Sequence, residues 1–101
     1  MIIYSVTVRI KKDCENEWLS WMKDVHIQNV LKTNYFNGYN IFKVLVPEVE
    51  EDVSIYKIKY ELEDFEKYKA YSSNDAIRLQ SEHKDKFHGK IKASREVMQK
   101  I

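Results

Sequence analysis

The chain has 101 residues and a mass of 12.2 kDa, with 17 lysines and arginines against 16 aspartates and glutamates, one cysteine, one proline and two glycines. That length predicts one small domain, and a formal net charge of +1 supplies no general electrostatic reason to bind nucleic acid or an anionic membrane. A single cysteine excludes an internal disulfide framework and a four-cysteine zinc site, and two glycines exclude most phosphate-cradling loops.

Met1 to Ile10 shows no basic leader region or small-residue cleavage site, and no stretch approaches the roughly 18 uninterrupted apolar residues of a membrane span. The expectation is a soluble, cytoplasmic protein with neither nucleic acid nor membrane as partner. Ile2, Tyr4, Val6, Val8 and Ile10 alternate with Ile3, Ser5, Thr7 and Arg9, the period-two pattern of a half-buried first strand. Asp13 is placed to cap the next element, with Glu15 and Glu17 in the first turn where the helix dipole favours anions. This helix is predicted to run to about Lys32. At about 100° per residue, Trp18, Leu19, Trp21, Met22, Val25 and Val30 gather on one face, while Lys23, Asp24 and Ile27 lie away from its centre.

Phe36 to Val46 is β-rich, and Pro47 followed by Glu48, Glu50, Glu51 and Asp52 ends it in a solvated turn. Val53 to Leu62 resumes as a third strand. The connection is too short for a parallel crossover, so these two strands are predicted to form an antiparallel hairpin. A second helical region follows from about Glu63 to His88, interrupted near Ser72, Ser73 and Asn74, where Ser73 or Asn74 is placed to cap a fresh helix. Gly89 closes it as a C′ residue, and Lys90 to Met98 makes a fourth strand.

The order β-α-β-β-α-β predicts an α+β, ferredoxin-like domain spanning 1–101: a four-stranded antiparallel sheet with its helices on one face. Both parities of the hairpin are apolar, Phe42, Val44 and Val46 against Tyr39, Ile41 and Leu45, so the open sheet face calls for a cover. A second copy is the expected cover, giving a homodimer through that face. The alternative is a monomer whose outer face is kept wet by Ser5, Thr7, Lys43, Lys57 and Lys59.

The opening Met-Ile-Ile-Tyr-Ser-Val-Thr-Val, the stretch Trp18-Leu19-Ser20-Trp21-Met22 with His26-Ile27, the segment Leu79-Gln80-Ser81-Glu82-His83 before Phe87 and Gly89, and Arg95 in the last strand together resemble a family of short bacterial proteins of unknown function. That family is placed in the dimeric α/β-barrel superfamily. The sequence departs from the family's pattern at Gln28, where a proline is expected, which lets the first helix continue past Ile27. The resemblance implies architecture. The superfamily spans cofactor-free monooxygenases, isomerases, mutarotases, haem-binding enzymes and ligand-binding regulatory domains, and none of their catalytic motifs is matched here residue by residue.

The candidate site rests on two histidines. His26 lies beside the apolar face of the first helix and His83 near the centre of the second helix's apolar face, with Ala76, Leu79 and Phe87. Taken singly, each is accounted for by ordinary core packing. As a pair between helices and sheet they are candidate ligand-binding or proton-transfer groups. Tyr4, Tyr56 and Tyr60 share the helix-facing parity and place hydroxyls toward the same space, Trp18 and Trp21 offer wall, and Arg95 is placed to clamp a carboxylate or form an ion pair. Cys14 sits among acids that oppose thiol activation. No metal site and no cofactor are expected, since His83 and His88 point to different helix faces. Residues 47 to 66 hold eight acids and two lysines, and residues 78 to 100 hold seven basic and three acidic side chains, which reads as solvated faces or a complementary subunit contact.

Three functions fit these residues: a small-molecule-binding protein with a pocket between helices and sheet, a cofactor-independent isomerase or monooxygenase using His26 or His83, and a structural or interaction module. A continuous cavity of a few hundred Å³ holding both imidazoles would favour the first two over the third, and filled space there would favour the third.

Overall fold

The structure is a computed structural model, and it describes residues 1–47 and 50–101. Strand β1 (Ile2–Lys11) leads through a 3-10 turn into α1 (Glu15–Trp21), a π-helical turn (Met22–His26) and α2 (Ile27–Leu31). The chain returns as β2 (Gly38–Lys43) and β3 (Val53–Leu62), crosses the sheet in α3 (Phe65–Asn74) and α4 (Ala76–Lys86), and ends in β4 (Ile91–Gln99). The sheet order is β2-β3-β1-β4, antiparallel throughout. β1 is central because its inward parity is wholly apolar: Ile2, Tyr4, Val6, Val8 and Ile10 are all buried. Its register opposite Tyr60, Ile58 and Tyr56 of β3 carries the same parity across the sheet. The helices pack on that face alone, so the ferredoxin-like arrangement expected from the element order is the arrangement found.

β2 is shorter than the predicted 36–46. Phe36 turns into the core against Tyr60 and Tyr71, at ring distances of 5.2 and 4.9 Å. At the far end Leu45 and Val46 leave the sheet before Pro47 and stand 74% and 84% exposed. Of the acidic turn, Glu48 lies outside the described residues, while Glu50 and Asp52 pair with Arg9 and Lys11. The acidic loop is therefore met by basic side chains of its own chain. Lys43 corrects the expected outer-face placement: its register partner is Tyr56, on the helix side, where its ammonium meets Glu15.

The predicted caps are corrected as well. Asp13 caps nothing, because a 3-10 turn at Lys12–Cys14 intervenes and the Asp13 carboxylate is drawn to Lys90 at 3.2 Å. Asp64 instead caps α3, accepting from the Lys67 N–H at 3.0 Å. Between α3 and α4 neither Ser73 nor Asn74 caps. Asn74 donates to the Tyr35 hydroxyl, and Asp75 precedes α4 with its carboxylate on Arg78. Gly89, with φ of 77°, lies in the turn beyond Phe87, whose carbonyl accepts from the Lys90 N–H at 2.9 Å.

The first helix continues past Ile27, as Gln28 permits, but it is not a uniform α-helix. One extra residue in the π turn sets everything beyond it back by about 100°. The wheel therefore fails beyond Met22: Ile27, expected off the core face, is fully buried, and Val25, expected on it, is 39% exposed. The same shift buries the adjacent pair His26 and Ile27 side by side.

Candidate ligand site

The π turn and α4 bring the two histidines together, with ring centroids 5.1 Å apart. Trp21 stacks on both, 5.2 Å from His26 and 5.9 Å from His83, and Phe87 meets its edge. Below them the fully buried Trp18 donates its indole N–H to His83 Nε2 at 2.9 Å. An indole nitrogen can only donate, so His83 Nε2 is an acceptor and the proton of the neutral ring sits on Nδ1. Burial, then the neighbouring His26 and Arg95, push His83 down to about 3. Burial pushes His26 down to about 4, opposed by the Glu82 charge and aided by Arg95. Both rings are neutral at physiological pH. His26 Nδ1 is the one fully buried side-chain polar atom without a hydrogen-bond partner among the described residues.

Both imidazoles, Gln80 and Arg95 line a cavity of about 10 Å³ together with Tyr4, Tyr60 and Tyr71. That volume holds one water, so the space between helices and sheet is a packed interior and not the expected pocket, which by itself counts towards a structural or interaction module. The room lies next door. An open groove of about 610 Å³ runs between α4 and β4, lined by Ile77, Ser81 and Lys84 on one side and Ile91, Lys92 and Ala93 on the other. Gln80, His83 and Arg95 line both the groove and the buried cavity.

Arg95 is opposite Val6 in the sheet register and so faces the helices. It has no ion-pair partner among the described residues, and its charge reaches Tyr4, Tyr60 and Tyr71, opposing the upward push of burial on each hydroxyl. A second hollow, of about 220 Å³ between the ends of β1 and β4, is different: its Arg9, Lys11 and Lys90 are already paired with Glu50, Asp52 and Asp13.

Of the predicted site residues, His26, His83, Tyr4, Tyr60 and Arg95 share the buried cavity, and Trp18 supports it from below. Tyr56 does not join them. Its hydroxyl donates to Glu15 Oε2 at 2.6 Å, while Ser54 donates to Oε1 at 2.8 Å and Lys43 lies 3.0 Å away. The Tyr56 bond and the Lys43 charge hold Glu15 below the usual carboxylate range against its burial, and burial with the Glu15 contact pushes the Tyr56 hydroxyl up. Cys14 is half-buried and its thiol is pushed up by burial and by Asp13. Gln80 and Tyr71 were missed by the sequence reading. Gln80 sits one helical turn before His83, and Tyr71 lies on α3 with no periodic signal that marks it. Among the described residues no three His, Cys, Asp or Glu side chains converge as metal ligands, and no helix is long and apolar enough to cross a membrane.

The fold and the packed helix-sheet interface define a ferredoxin-like α+β protein. Similar solved structures include an "ethyl tert-butyl ether d (ethd) family protein" from Bacillus halodurans, at TM-score 0.70 and 13% identity with 100% of both chains covered. An "antibiotic biosynthesis monooxygenase" aligns at TM-score 0.66 and 12% identity, covering 100% of this chain and 99% of the other. A "dimeric ferredoxin-like protein" from an uncultured marine organism aligns at 0.65 and 12%, covering 99% and 98%. At such identities the likeness is one of fold. No curated protein matches the sequence. The match that reaches sequence level spans residues 1–101: the chain belongs to the family described as "Domain of unknown function (DUF4286)".

Proposed function

We propose that this protein is a homodimer that binds a small organic molecule in the groove between α4 and β4. One observation carries the site: Gln80, His83 and Arg95 line the open groove and the buried polar cavity at once, so a bound molecule meets side chains whose rear surfaces are held by the core. Preorganised polar groups beside an apolar wall are what a small-molecule site requires. Binding is favoured over catalysis because the free lone pair that could act as a base belongs to His26, behind a cavity with room for one water. His83 presents an N–H to its surroundings, which orients a ligand without abstracting a proton. The dimer is supported by Phe42, 50% exposed, on the uncovered sheet face, and by a fold neighbour described as dimeric.

The test is to incubate the purified protein with a metabolite extract and identify what it retains, alongside Arg95→Ala and His83→Ala. The expected result is a retained compound that both variants lose while their circular dichroism stays native. Identical retention by all three proteins would overturn the site. Light scattering at low micromolar concentration is expected to give twice the 12.2 kDa chain mass, and a 12.2 kDa species would overturn the dimer.

A further inference from the structure

Resting on the binding reading above, we infer that the groove's ligand is a monocarboxylate with an apolar body, its carboxylate held by Arg95 and its hydrocarbon lying along Ile77, Ile91 and Ala93. The charge of the lining carries the argument. The groove has Lys84, Lys92 and Arg95 along it and no aspartate or glutamate. Glu82, Asp85 and Glu96, the acids nearest in sequence, are not part of the lining: Glu82 accepts from Asn29 at 3.2 Å, and Glu96 stands opposite Ser5 on the outer sheet face, from which Lys92 reaches the rim of the groove, while Arg95 stands opposite Val6.

Three cations without a lining acid repel an amine. Arg95 is exposed and has no ion-pair partner among the described residues, so its guanidinium is free to take up an anion beside the tyrosines and neutral imidazoles, a contact that a neutral ligand leaves unused. An anion completes the set. The planar fork of arginine matches a carboxylate with two parallel hydrogen bonds, and Gln80 and His83 add neutral donors on the same wall. A phosphomonoester carries close to two charges at neutral pH and calls for more cationic donors than the single guanidinium at this end. Lys84 and Lys92, on the solvent side of the groove, serve to draw an anion in.

The apolar half follows from the rest of the lining. Ile77 is 79% exposed and offers its side chain to the groove. With Ile91 and Ala93 facing it, it makes a hydrophobic slot leading away from Arg95.

The test uses one skeleton with different head groups: 3-phenylpropionate, 3-phenylpropanol, 3-phenylpropylamine and 3-phenylpropyl phosphate, titrated into 15N-labelled protein. The expected result is that the acid shifts the amide resonances of α4 and β4 around Gln80, His83 and Arg95, with an affinity at least tenfold above the alcohol and the amine. Arg95→Gln is expected to weaken the acid at least tenfold, with no effect on the alcohol, and Arg95→Lys to recover only part of the loss because it keeps the charge without the fork. Arg95 is exposed on an edge strand, so the dispersed spectra of the variants report that they fold. An alcohol that binds the groove as tightly as the acid overturns the carboxylate and leaves the groove standing. A phosphate ester that binds more tightly than the acid does the same. If no head group shifts the groove resonances, the binding reading falls and this inference falls with it.

Discussion

Trp18 Nε1 donates to His83 Nε2 at 2.9 Å across 65 residues of sequence, and this bond decides which face of the His83 ring is a donor. With Nε2 engaged from the core, the proton is confined to Nδ1. Trp18→Phe keeps most of the ring surface and removes the donor, leaving a buried acceptor unpaired. The expected loss is about 1–3 kcal/mol in urea denaturation, with the ring nitrogen spectrum of His83 changing from a single Nδ1–H tautomer to a mixture. An unchanged tautomer would show that something else sets it.

The two histidines are expected to respond oppositely to an apolar replacement. His26 Nδ1 is buried and unpaired, so His26→Leu removes an unsatisfied polar atom and is expected to leave stability within about 1 kcal/mol of the parent or raise it. His83→Leu strands the indole N–H of Trp18 instead and is expected to cost about 2 kcal/mol. Equal losses in denaturant titrations of the two variants would contradict the assignment of partners.

Acid weakens this fold through the same rings. Folded values of about 4 for His26 and about 3 for His83 lie below the ordinary 6.5. Between pH 6.5 and about 4 the unfolded chain therefore takes up protons that the folded chain refuses, and stability falls as pH falls. Each ring contributes about 1.4 kcal/mol per pH unit in that window, and its stabilisation is fully present only above about pH 7. The depressed carboxyl of Glu15 acts in the same direction lower down, as pH falls below its ordinary 4.5. From pH 7.5 to pH 5 the two rings together are expected to cost about 4 kcal/mol, read as a drop in the urea midpoint, and His83→Leu halves that slope. A midpoint that is flat over this range would refute it.

The π turn makes its own prediction. Lys23 is exposed within Met22–His26, and deleting it converts the wide turn to an ordinary one while Trp18 before it and Ile27 and Val30 after it keep facing the sheet. The deletion variant is expected to fold, with stability within about 1 kcal/mol of the parent, and to show an unbroken α-helical pattern of amide exchange. Loss of the fold would mean that the extra residue is required for packing.

Much of this molecule was open to sequence reasoning because periodicity reports burial directly. The alternation of Ile2 to Ile10 placed β1, and Val53 to Leu62 coincides with β3 residue for residue. Strong alternation has few alternative registers, since a slip of one residue would expose every apolar side chain. The caps were misplaced because Asp13 and Asn74 found partners far along the chain, Lys90 and Tyr35, that compete with a local backbone N–H. The helical wheel failed beyond Met22 because an extra residue in one turn has no signature in composition and rotates everything downstream.

By itself, then, the sequence determined the order of elements, the inward parity of the sheet and the placing of His26 and His83 on the two helical segments that cover it, all consequences of burying apolar side chains with a regular period. Tertiary structure decided what that meeting amounts to. Large rings from α1, α3 and β3 fill the interior so closely that only about 10 Å³ remains beside the histidines, and the usable space moved outward to the α4–β4 groove. Volume is what remains after every side chain has been packed, and no local pattern encodes that remainder.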